Sequence, residues 1–216
     1  MRRNPLIVLE GIDGAGKATQ VKLLSARLKK EGRAASVFSF PRYGTPVGNI
    51  IRESLQGKHG DFRNLDAYLT SIPYALDRAV ALPQLQQALK KGPVICDRYT
   101  TSALAFGAAK CKPSERAKFQ KFFEDLEYKQ LGVPKPDLVL YLSLPTTAAQ
   151  RLLSKEGKKK DQNERDRAFQ KEVARLYEQL AKRPGWKRVP CVEKGRLLSP
   201  REIHERIWRE VSKKLR

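Results

Sequence analysis

The sequence predicts an α/β fold in three layers, in which a five-stranded, mainly parallel sheet lies between helices. Two observations predict it: short, continuous apolar runs alternate with amphipathic helical patterns along the chain, and the connections between them are short. The 216 residues contain no Ser/Gly-rich linker and no internal repeat. We therefore expect a single domain over residues 1–216.

Three strand patterns occupy the first half of the chain. Residues 6–9 form an uninterrupted apolar run, which is typical of a strand covered on both faces of a parallel sheet. Residues 37–40, which end at Pro41, and residues 94–96 are the next two predicted strands. The helical patterns between them are Val21, Leu24 and Leu28, and later Leu82, Leu85 and Leu89.

Two further strands are predicted in the second half. Residues 137–144 are the most apolar run of the chain, and residues 189–192 are a weaker one that Pro190 interrupts. Helical patterns cover residues 119–126, 169–180 and 203–215. The last helix has a clear start, because Ser199 and Glu202 form a capping box with Pro200 at the first helical position.

The composition excludes several classes of protein. With 40% hydrophobic and 31% charged residues, the chain can bury a core. No apolar run approaches the roughly 20 residues of a membrane span, and the N-terminus lacks a signal-peptide pattern, so we expect a cytoplasmic location and no membrane partner. Cys96, Cys111 and Cys191 are far apart and predict reduced thiols. With only two histidines, a metal cluster or a histidine-activated nucleophile is disfavoured.

The positive charge has two interpretations. The chain carries 44 Lys+Arg against 23 Asp+Glu, a formal net charge of +21. Such a surface either binds nucleic acid through its phosphates or surrounds a site for small phosphorylated ligands. The sequence has no helix-turn-helix pattern and no interleaved surface aromatics, so a nucleic-acid partner is the less favoured interpretation.

A phosphate-binding loop lies between the first strand and the first helix. Residues 11–17 satisfy the pattern G-x-x-x-x-G-K. In that position the backbone N–H groups converge on phosphates, the helix N-terminus adds its positive dipole, and Lys17 neutralises charge on the β- and γ-phosphates. The predicted ATP-binding residues of this loop are Gly11, Ile12, Asp13, Gly14, Ala15, Gly16, Lys17, Ala18 and Thr19.

One position of the loop departs from the usual pattern. Ala18 stands where Ser or Thr normally ligates Mg²⁺, and Thr19 follows one place later. Either the metal is held mainly by phosphate oxygens and carboxylates such as Asp13, or nucleotide binding is weaker than in other P-loop proteins. A third interpretation is that the protein has lost its catalytic activity, because Ala18 lacks the hydroxyl group that normally ligates Mg²⁺.

Three more motifs follow the phosphate loop. They are Phe-Pro-Arg-Tyr-Gly at residues 40–44, Tyr-Ala-Leu-Asp-Arg at residues 74–78 and Asp-Arg-Tyr at residues 97–99. In this order, after Glu-Gly-Ile-Asp-Gly-Ala-Gly-Lys at residues 10–17, they resemble the thymidylate kinases, which are P-loop nucleoside monophosphate kinases. The resemblance extends from about residue 6 to about residue 177. It implies the three-layer P-loop NTPase fold and transfer of a phosphoryl group from ATP to dTMP, with Mg²⁺ as cofactor, in dTTP synthesis.

The residues of these motifs fit that chemistry. ATP and a nucleoside monophosphate bring roughly six negative charges into one cleft, which fixed cations must offset. The resemblance implies that Arg42 and Arg98 bind the acceptor phosphate beside Tyr43, and that Asp97 assists Mg²⁺ from its outer shell. It further implies that Asp13 contacts the acceptor 3′-hydroxyl or the metal shell. Lys17, Arg98, Asp13 and Asp97 are thus the predicted catalytic residues.

The thymine base is expected at the third motif. Tyr74 and Arg78 lie four residues apart, so a helix presents both on one face, where the ring can stack on a pyrimidine while the guanidinium donates to O4. Phe40 is predicted in the same pocket. Family members usually have a side-chain amide near position 103 and often a tyrosine near 106, whereas this chain has Ala103 and Phe106, and Phe106 is expected to contact the substrate in the tyrosine's place. A kinase for dUMP, UMP or CMP is therefore the alternative function.

The basic segment at about residues 154–167 is predicted to be a mobile lid. The family's lid closes over the ATP phosphates at this position, which also excludes water. The resemblance implies that Lys155, Lys158 or Arg151 supplies a cation to the γ-phosphate and that Glu164 assists the acceptor or the metal. By the same analogy we expect a homodimer that forms through helices flanking the acceptor site.

Overall fold

The main sheet of the computed structural model contains five parallel strands. The structure describes residues 3–61, 64–155 and 161–215, with the backbone alone at Lys155. The strands are β1 (Leu6–Glu10), β2 (Ser36–Ser39), β3 (Val94–Asp97), β4 (Leu138–Ser143) and β5 (Trp186–Pro190). They lie in the order β2-β3-β1-β4-β5, and every pairing is parallel. The predicted fold class is confirmed.

Helices connect the strands and cover both faces of the sheet. They are α1 (Lys17–Lys30), α2 (Pro46–Leu55), α3 (Ala67–Lys91), α4 (Thr100–Lys110), α5 (Arg116–Asp125), α6 (Thr146–Lys155), α7 (Gln162–Arg165), α8 (Arg167–Leu180) and α9 (Pro200–Lys214). A π-helical turn, Leu126–Gln130, follows α5, and a short hairpin of β6 (Val192–Glu193) and β7 (Arg196–Leu197) precedes α9. No helix among the described residues has both the length and the apolar character to cross a membrane.

The core lies on both faces of the central strands, whose side chains are almost fully buried. Every residue of β1 and of β4 is buried, as their apolar patterns predict for all but the polar residues at the two strand ends, Glu10 and Ser143. The amphipathic helices contribute the side chains expected of them, including Leu24 and Leu28 of α1 and Val211 of α9, all at 0% exposure. The capping box at Ser199 and Glu202 also forms as predicted.

Helix α3 is longer than its sequence pattern indicates. The sequence predicts a helix that contains Tyr74 and Arg78 and a helical pattern over Leu82–Leu89, and the structure joins both in one helix of 25 residues that contains Pro73 and Pro83. Proline removes a backbone donor and usually kinks a helix, so it argues for a helix end at the sequence level. Here the packing of α3 against α2, α4 and β3 maintains the helix through both prolines.

Parallel strands bring their carboxyl ends to one edge of the sheet, and this topology determines where the site lies. The register pairs Leu9 of β1 with Asp97 of β3, so Glu10 and Arg98 leave neighbouring strands side by side. β2 ends beside them, where the Phe40 N–H donates to the carbonyl of Asp97 at 3.0 Å. The first, second and fourth motifs therefore meet at this edge, which is where ligands bind in open α/β sheets.

Candidate active site

The phosphate loop is packed against α6. Gly14 has φ 78°, in the left-handed region that favours glycine. A Cβ at this position would lie 2.6 Å from the carbonyl oxygen of Ala149 and 2.8 Å from Leu153, both in α6. The close approach of the two backbones therefore requires glycine here. This close approach also places α6, which has the exposed Arg151, next to the phosphate loop.

Lys17 is the first residue of α1 and is almost completely buried. Its Nζ donates to the carbonyl oxygens of Gly11 at 3.1 Å and Ile12 at 3.0 Å, so the ammonium group lies within the curve of the loop. Burial, followed by the positive charge of Arg98, lowers the pKa of Lys17 to about 8. The side chain is thus a cation in the phosphate loop at neutral pH.

Residues 18 and 19 provide little for a metal. Both Ala18 and Thr19 are exposed on α1. Asp97, at the end of β3, is half-buried, and its negative charge acts on Lys17. Among residues 3–61, 64–155 and 161–215, no group of three or more His, Cys, Asp or Glu side chains could enclose a metal ion.

Arg98 connects the phosphate loop with the second half of the cleft. It follows β3 with φ 63°, a left-handed conformation that is rare for a residue other than glycine. One guanidinium nitrogen, Nη2, donates to Asp13 Oδ1 in the phosphate loop, and the guanidinium carbon lies 4.7 Å from the centre of the Phe106 ring. A cation is therefore held between the two predicted ligand sites.

Asp13 is bound from two sides. Besides Arg98, its carboxylate accepts from the Gln170 side chain in α8 at 3.2 Å. Burial alone would raise the pKa of Asp13, but the charges of Arg98 and Lys17 and these hydrogen bonds lower it overall. The side chain is therefore a carboxylate at neutral pH, and both of its oxygens accept hydrogen bonds.

A pocket opens beside Arg98, and seven of the predicted site residues line it. They are Asp13, Phe40, Tyr43, Tyr74, Arg78, Arg98 and Phe106. The remaining wall includes residues that sequence reasoning did not single out: Thr70, Ser71, Ser102, Lys110, Asp161, Asn163 and Phe169. Aromatic walls and a few polar groups suit a nucleoside with its phosphate directed toward Arg98.

Arg78 is held by a buried partner that its sequence position does not reveal. Its Nε and Nη2 donate to the two carboxylate oxygens of Glu127 at 2.5 and 2.7 Å, and the side chains are 2% and 1% exposed. Glu127 lies in the π-helical turn after α5, 49 residues away. This bidentate pair fixes the guanidinium plane at the pocket wall.

Arg42 is held in a similar way, by Asp77. The backbone N–H of Arg42 donates to Oδ2 at 2.8 Å, its Nε donates to Oδ1 at 2.9 Å and its Nη2 donates to the Asp77 carbonyl at 3.0 Å. Asp77 is fully buried in α3, directly before Arg78. Arg42 itself lies beside the pocket, whereas its neighbours Pro41 and Tyr43 form the wall.

The lid places two further residues at the pocket, next to the predicted Glu164. Asp161 and Asn163 line the pocket, while Glu164 exchanges hydrogen bonds with Asp161 in the capping box of α7. Burial, together with the charges of Asp13 and Glu164, raises the pKa of Asp161 to about 6. Lys158 and the side chain of Lys155 lie outside the described residues.

Comparison with known proteins identifies the family. Residues 9–203 match the family model of thymidylate kinase. The chain is 36% identical over 189 residues to the thymidylate kinase of Mycobacterium tuberculosis (84% of this chain, 87% of the relative), and 32% identical over 210 residues to that of Homo sapiens (95% and 89%). The solved structure of thymidylate kinase from Candida albicans superposes with a TM-score of 0.75 at 25% identity, covering 98% of this chain and 93% of the other. This chain belongs to the thymidylate kinase family, and its reaction is phosphoryl transfer from ATP to dTMP.

Proposed function

We propose that ATP binds with its phosphates in the Gly11–Lys17 loop, that dTMP binds in the pocket beside it, and that Arg98 acts on both. The observation that carries this proposal is the position of Arg98. Its guanidinium bonds to Asp13 of the phosphate loop and lies over Phe106 of the pocket. A cation at that junction neutralises charge on a phosphoryl group as it passes between the two ligands.

The mechanism needs positioning and charge neutralisation, and it needs no general base. The attacking oxygen of the acceptor phosphate is already ionised at neutral pH, because the second pKa of a phosphate monoester is about 6. Lys17 stabilises the donor phosphates, and Arg98 and Arg42 orient the acceptor phosphate for in-line attack. Asp77 supports Arg42 through its three hydrogen bonds.

Magnesium fits this site as part of the ATP substrate. Ala18 has no hydroxyl group, and both Asp13 oxygens already accept hydrogen bonds, so Asp97 is the acidic group that would assist the ion from the protein side. The phosphates would then provide most of the ligands. When bound, Mg²⁺ neutralises phosphate charge.

The pocket supports dTMP as the acceptor over other monophosphates. Arg78, fixed by Glu127, is positioned to donate to a carbonyl at the base edge, and Tyr74 and Phe40 provide apolar surface for the ring. Phe106 has no hydroxyl group and Ala103 has no side-chain amide. The pocket therefore recognises the sugar mainly by its shape.

A coupled ADP-release assay with dTMP, dUMP, UMP and CMP tests this assignment. We expect the highest kcat/KM with dTMP and the lowest with CMP, whose 4-amino group cannot accept from Arg78. Equal kcat/KM for all four would contradict the assignment of the base pocket.

The lid completes the donor side of the proposal. Arg151 lies on α6 between Ala149 and Leu153, the two residues that Gly14 approaches, and Lys155 and Lys158 follow it in sequence. We propose that this group of cations contacts the γ-phosphate. Lys155 and Lys158 belong to a lid of about residues 154–167, which is part of the single domain. Glu164 supports the acceptor side through its hydrogen bonds with Asp161, which lines the pocket.

The pH dependence of ATP binding follows from Lys17. With a pKa of about 8, Lys17 loses its proton as the pH rises above 8, and the neutral amine no longer attracts phosphates. We expect the KM for ATP to rise about tenfold for each pH unit above that value, while the KM for dTMP changes little. Steady-state kinetics between about pH 7 and pH 9.5 measures this.

Lys17→Arg is the matched control, since a guanidinium keeps its charge over this range. Its KM for ATP should not depend on pH, even if it is higher throughout. A pH-independent KM for ATP in the original protein would show that the charge of Lys17 does not govern ATP binding.

A homodimer formed through α3 is also proposed. Four apolar side chains lie along one exposed face of this helix, at helical spacing: Leu69 (61% exposed), Ile72 (44%), Leu76 (49%) and Val80 (55%). Such a contiguous apolar stripe on a surface helix is typical of a protein interface. A second copy of this chain would cover this apolar stripe. We also propose that the protein is located in the cytoplasm, where its substrates are available.

The dimer is tested by Val80→Glu, which inserts a charge into the stripe. We expect the mass measured by light scattering to fall from twice 24.5 kDa to that of one chain. Gln179→Glu adds the same charge to an exposed position of α8 and should leave the mass unchanged. A Val80→Glu protein with undiminished mass would rule out this face as the interface.

A further inference from the structure

We propose that Glu10 is a positioning residue that sets the orientation of Arg98. The inference rests on the proposed role of Arg98 in phosphoryl transfer. Glu10 is the last residue of β1, directly before the phosphate loop, and its side chain is completely buried. A buried carboxylate is costly unless it is paired and fully hydrogen-bonded, so its contacts need an explanation.

The carboxylate accepts hydrogen bonds from four residues. Oε1 accepts from the Tyr99 backbone N–H at 3.2 Å, from Thr101 Oγ1 at 2.6 Å and from Ser102 Oγ at 3.0 Å. Oε2 accepts from Ser102 Oγ at 2.8 Å and from Tyr177 Oη of α8 at 2.6 Å. The positively charged Arg98 is also close, with its Nη1 4.0 Å from Oε2.

Three of these donors belong to the residues that immediately follow Arg98. Glu10 therefore holds the turn in which Arg98 lies and the first turn of α4. The backbone of β1 holds the other side, because the Arg98 N–H donates to the Leu9 carbonyl at 3.0 Å. Arg98 keeps its left-handed φ of 63° between these two anchors, and such a conformation persists only where surrounding contacts determine it.

The network also reaches the Arg98 side chain. Ser102 Oγ, bound to Glu10, is 3.5 Å from Arg98 Nη1, while Nη2 is bound by Asp13. Both nitrogens are thus directed by groups anchored at the end of β1 and the start of the phosphate loop. Loss of the Glu10 charge would leave Arg98 in the site with its direction no longer fixed.

Glu10→Gln tests this without changing side-chain volume. Its amide NH₂ is a donor, so the hydroxyl and N–H donors on that side of the former carboxylate lose their acceptor. We expect kcat to fall by roughly 100-fold, the size of effect produced by a displacement of about 1 Å, while the KM values for ATP and dTMP change by less than about threefold. An unchanged kcat in the folded variant would overturn the proposal.

A double-mutant cycle separates positioning from general destabilisation. In an Arg98→Lys background, the Glu10→Gln change should lower kcat by less than about threefold, because the group it positions has already been replaced. The same fold-loss in both backgrounds would show that Glu10 acts independently of Arg98 and would overturn the proposal. A normal kcat in Arg98→Lys and in Arg98→Ala would instead refute the proposed role of Arg98 itself.

Two milder variants keep the test decisive if Glu10→Gln does not fold. Thr101→Val and Tyr177→Phe each remove one donor to Glu10 and preserve shape, so each should lower kcat several-fold, and in combination by more. Val211→Ala in α9 is the control, because it destabilises the core away from the site and should lower the melting temperature with kcat unchanged. Normal kcat in both donor variants would contradict the proposal.

Discussion

Replacement of Arg98 by alanine is expected to lower kcat by about 10³-fold and to have the largest catalytic effect of any single substitution in this protein. The guanidinium is the cation between the phosphate loop and the acceptor pocket, bonded to Asp13 and packed on Phe106. Charge on the transferring phosphoryl group must be neutralised there. Single-turnover kinetics with saturating ATP and dTMP measures the chemical step directly.

The control for Arg98→Ala is Arg188→Ala, which removes the same charge from an exposed ion pair with Glu178. Surface pairs contribute little, so this variant should keep its stability and turnover. Circular dichroism should confirm that Arg98→Ala is folded, since its neighbours Tyr99 and Thr101 remain bound to Glu10. Turnover within a few-fold of the original protein would exclude Arg98 from the catalytic machinery.

Replacement of Glu127 by alanine is expected to lower the free energy of unfolding by about 3–5 kcal/mol, because Arg78 is then buried without its counter-ion. Both side chains of this pair are nearly inaccessible to water. Arg78 would also lose its fixed orientation at the pocket wall, so the KM for dTMP should rise. Denaturant unfolding and steady-state kinetics measure the two effects.

The double variant Arg78→Met/Glu127→Met separates the loss of stability from the loss of dTMP binding. Removing both charges and filling the space with apolar side chains should recover much of the lost stability. It should not recover dTMP binding, because the donor to the base is gone. A Glu127→Ala protein as stable as the original would show that the pair does not contribute to stability. A double variant with an unchanged KM for dTMP would contradict the role of Arg78.

Much of the fold is predictable because its signals are local. The apolar runs of β1 and β4 reflect burial on both faces of a parallel sheet, and each can be identified within a few consecutive residues. The phosphate loop is also local, since glycine spacing, one lysine and the strand and helix around it lie within 25 residues of chain. The position of the site loops is also predictable, because parallel strands have their carboxyl ends at the same edge of the sheet.

Other features depend on packing that no local pattern contains. α3 continues through two prolines because its neighbours support it. In the lid, both Asp161 and Glu164 are acidic, only three residues apart and part of the capping box of α7, yet only Asp161 lines the pocket. Their identities alone give no reason to choose between them, since the direction of each side chain depends on how α7 lies against the cleft.

The sequence by itself thus determined the α/β class, the phosphate loop and the family of this protein, because these depend on residue types at short, regular spacing. Only the tertiary structure decided which charges meet. Arg42 is paired with Asp77, Arg78 with Glu127, Asp13 with Gln170, and Glu10 with the turn after Arg98. These partners are 35 to 157 residues apart, and a charge in the sequence shows neither its distance nor its burial. Both quantities set the strength of an electrostatic interaction, so the chemistry of the site depends on the folded chain.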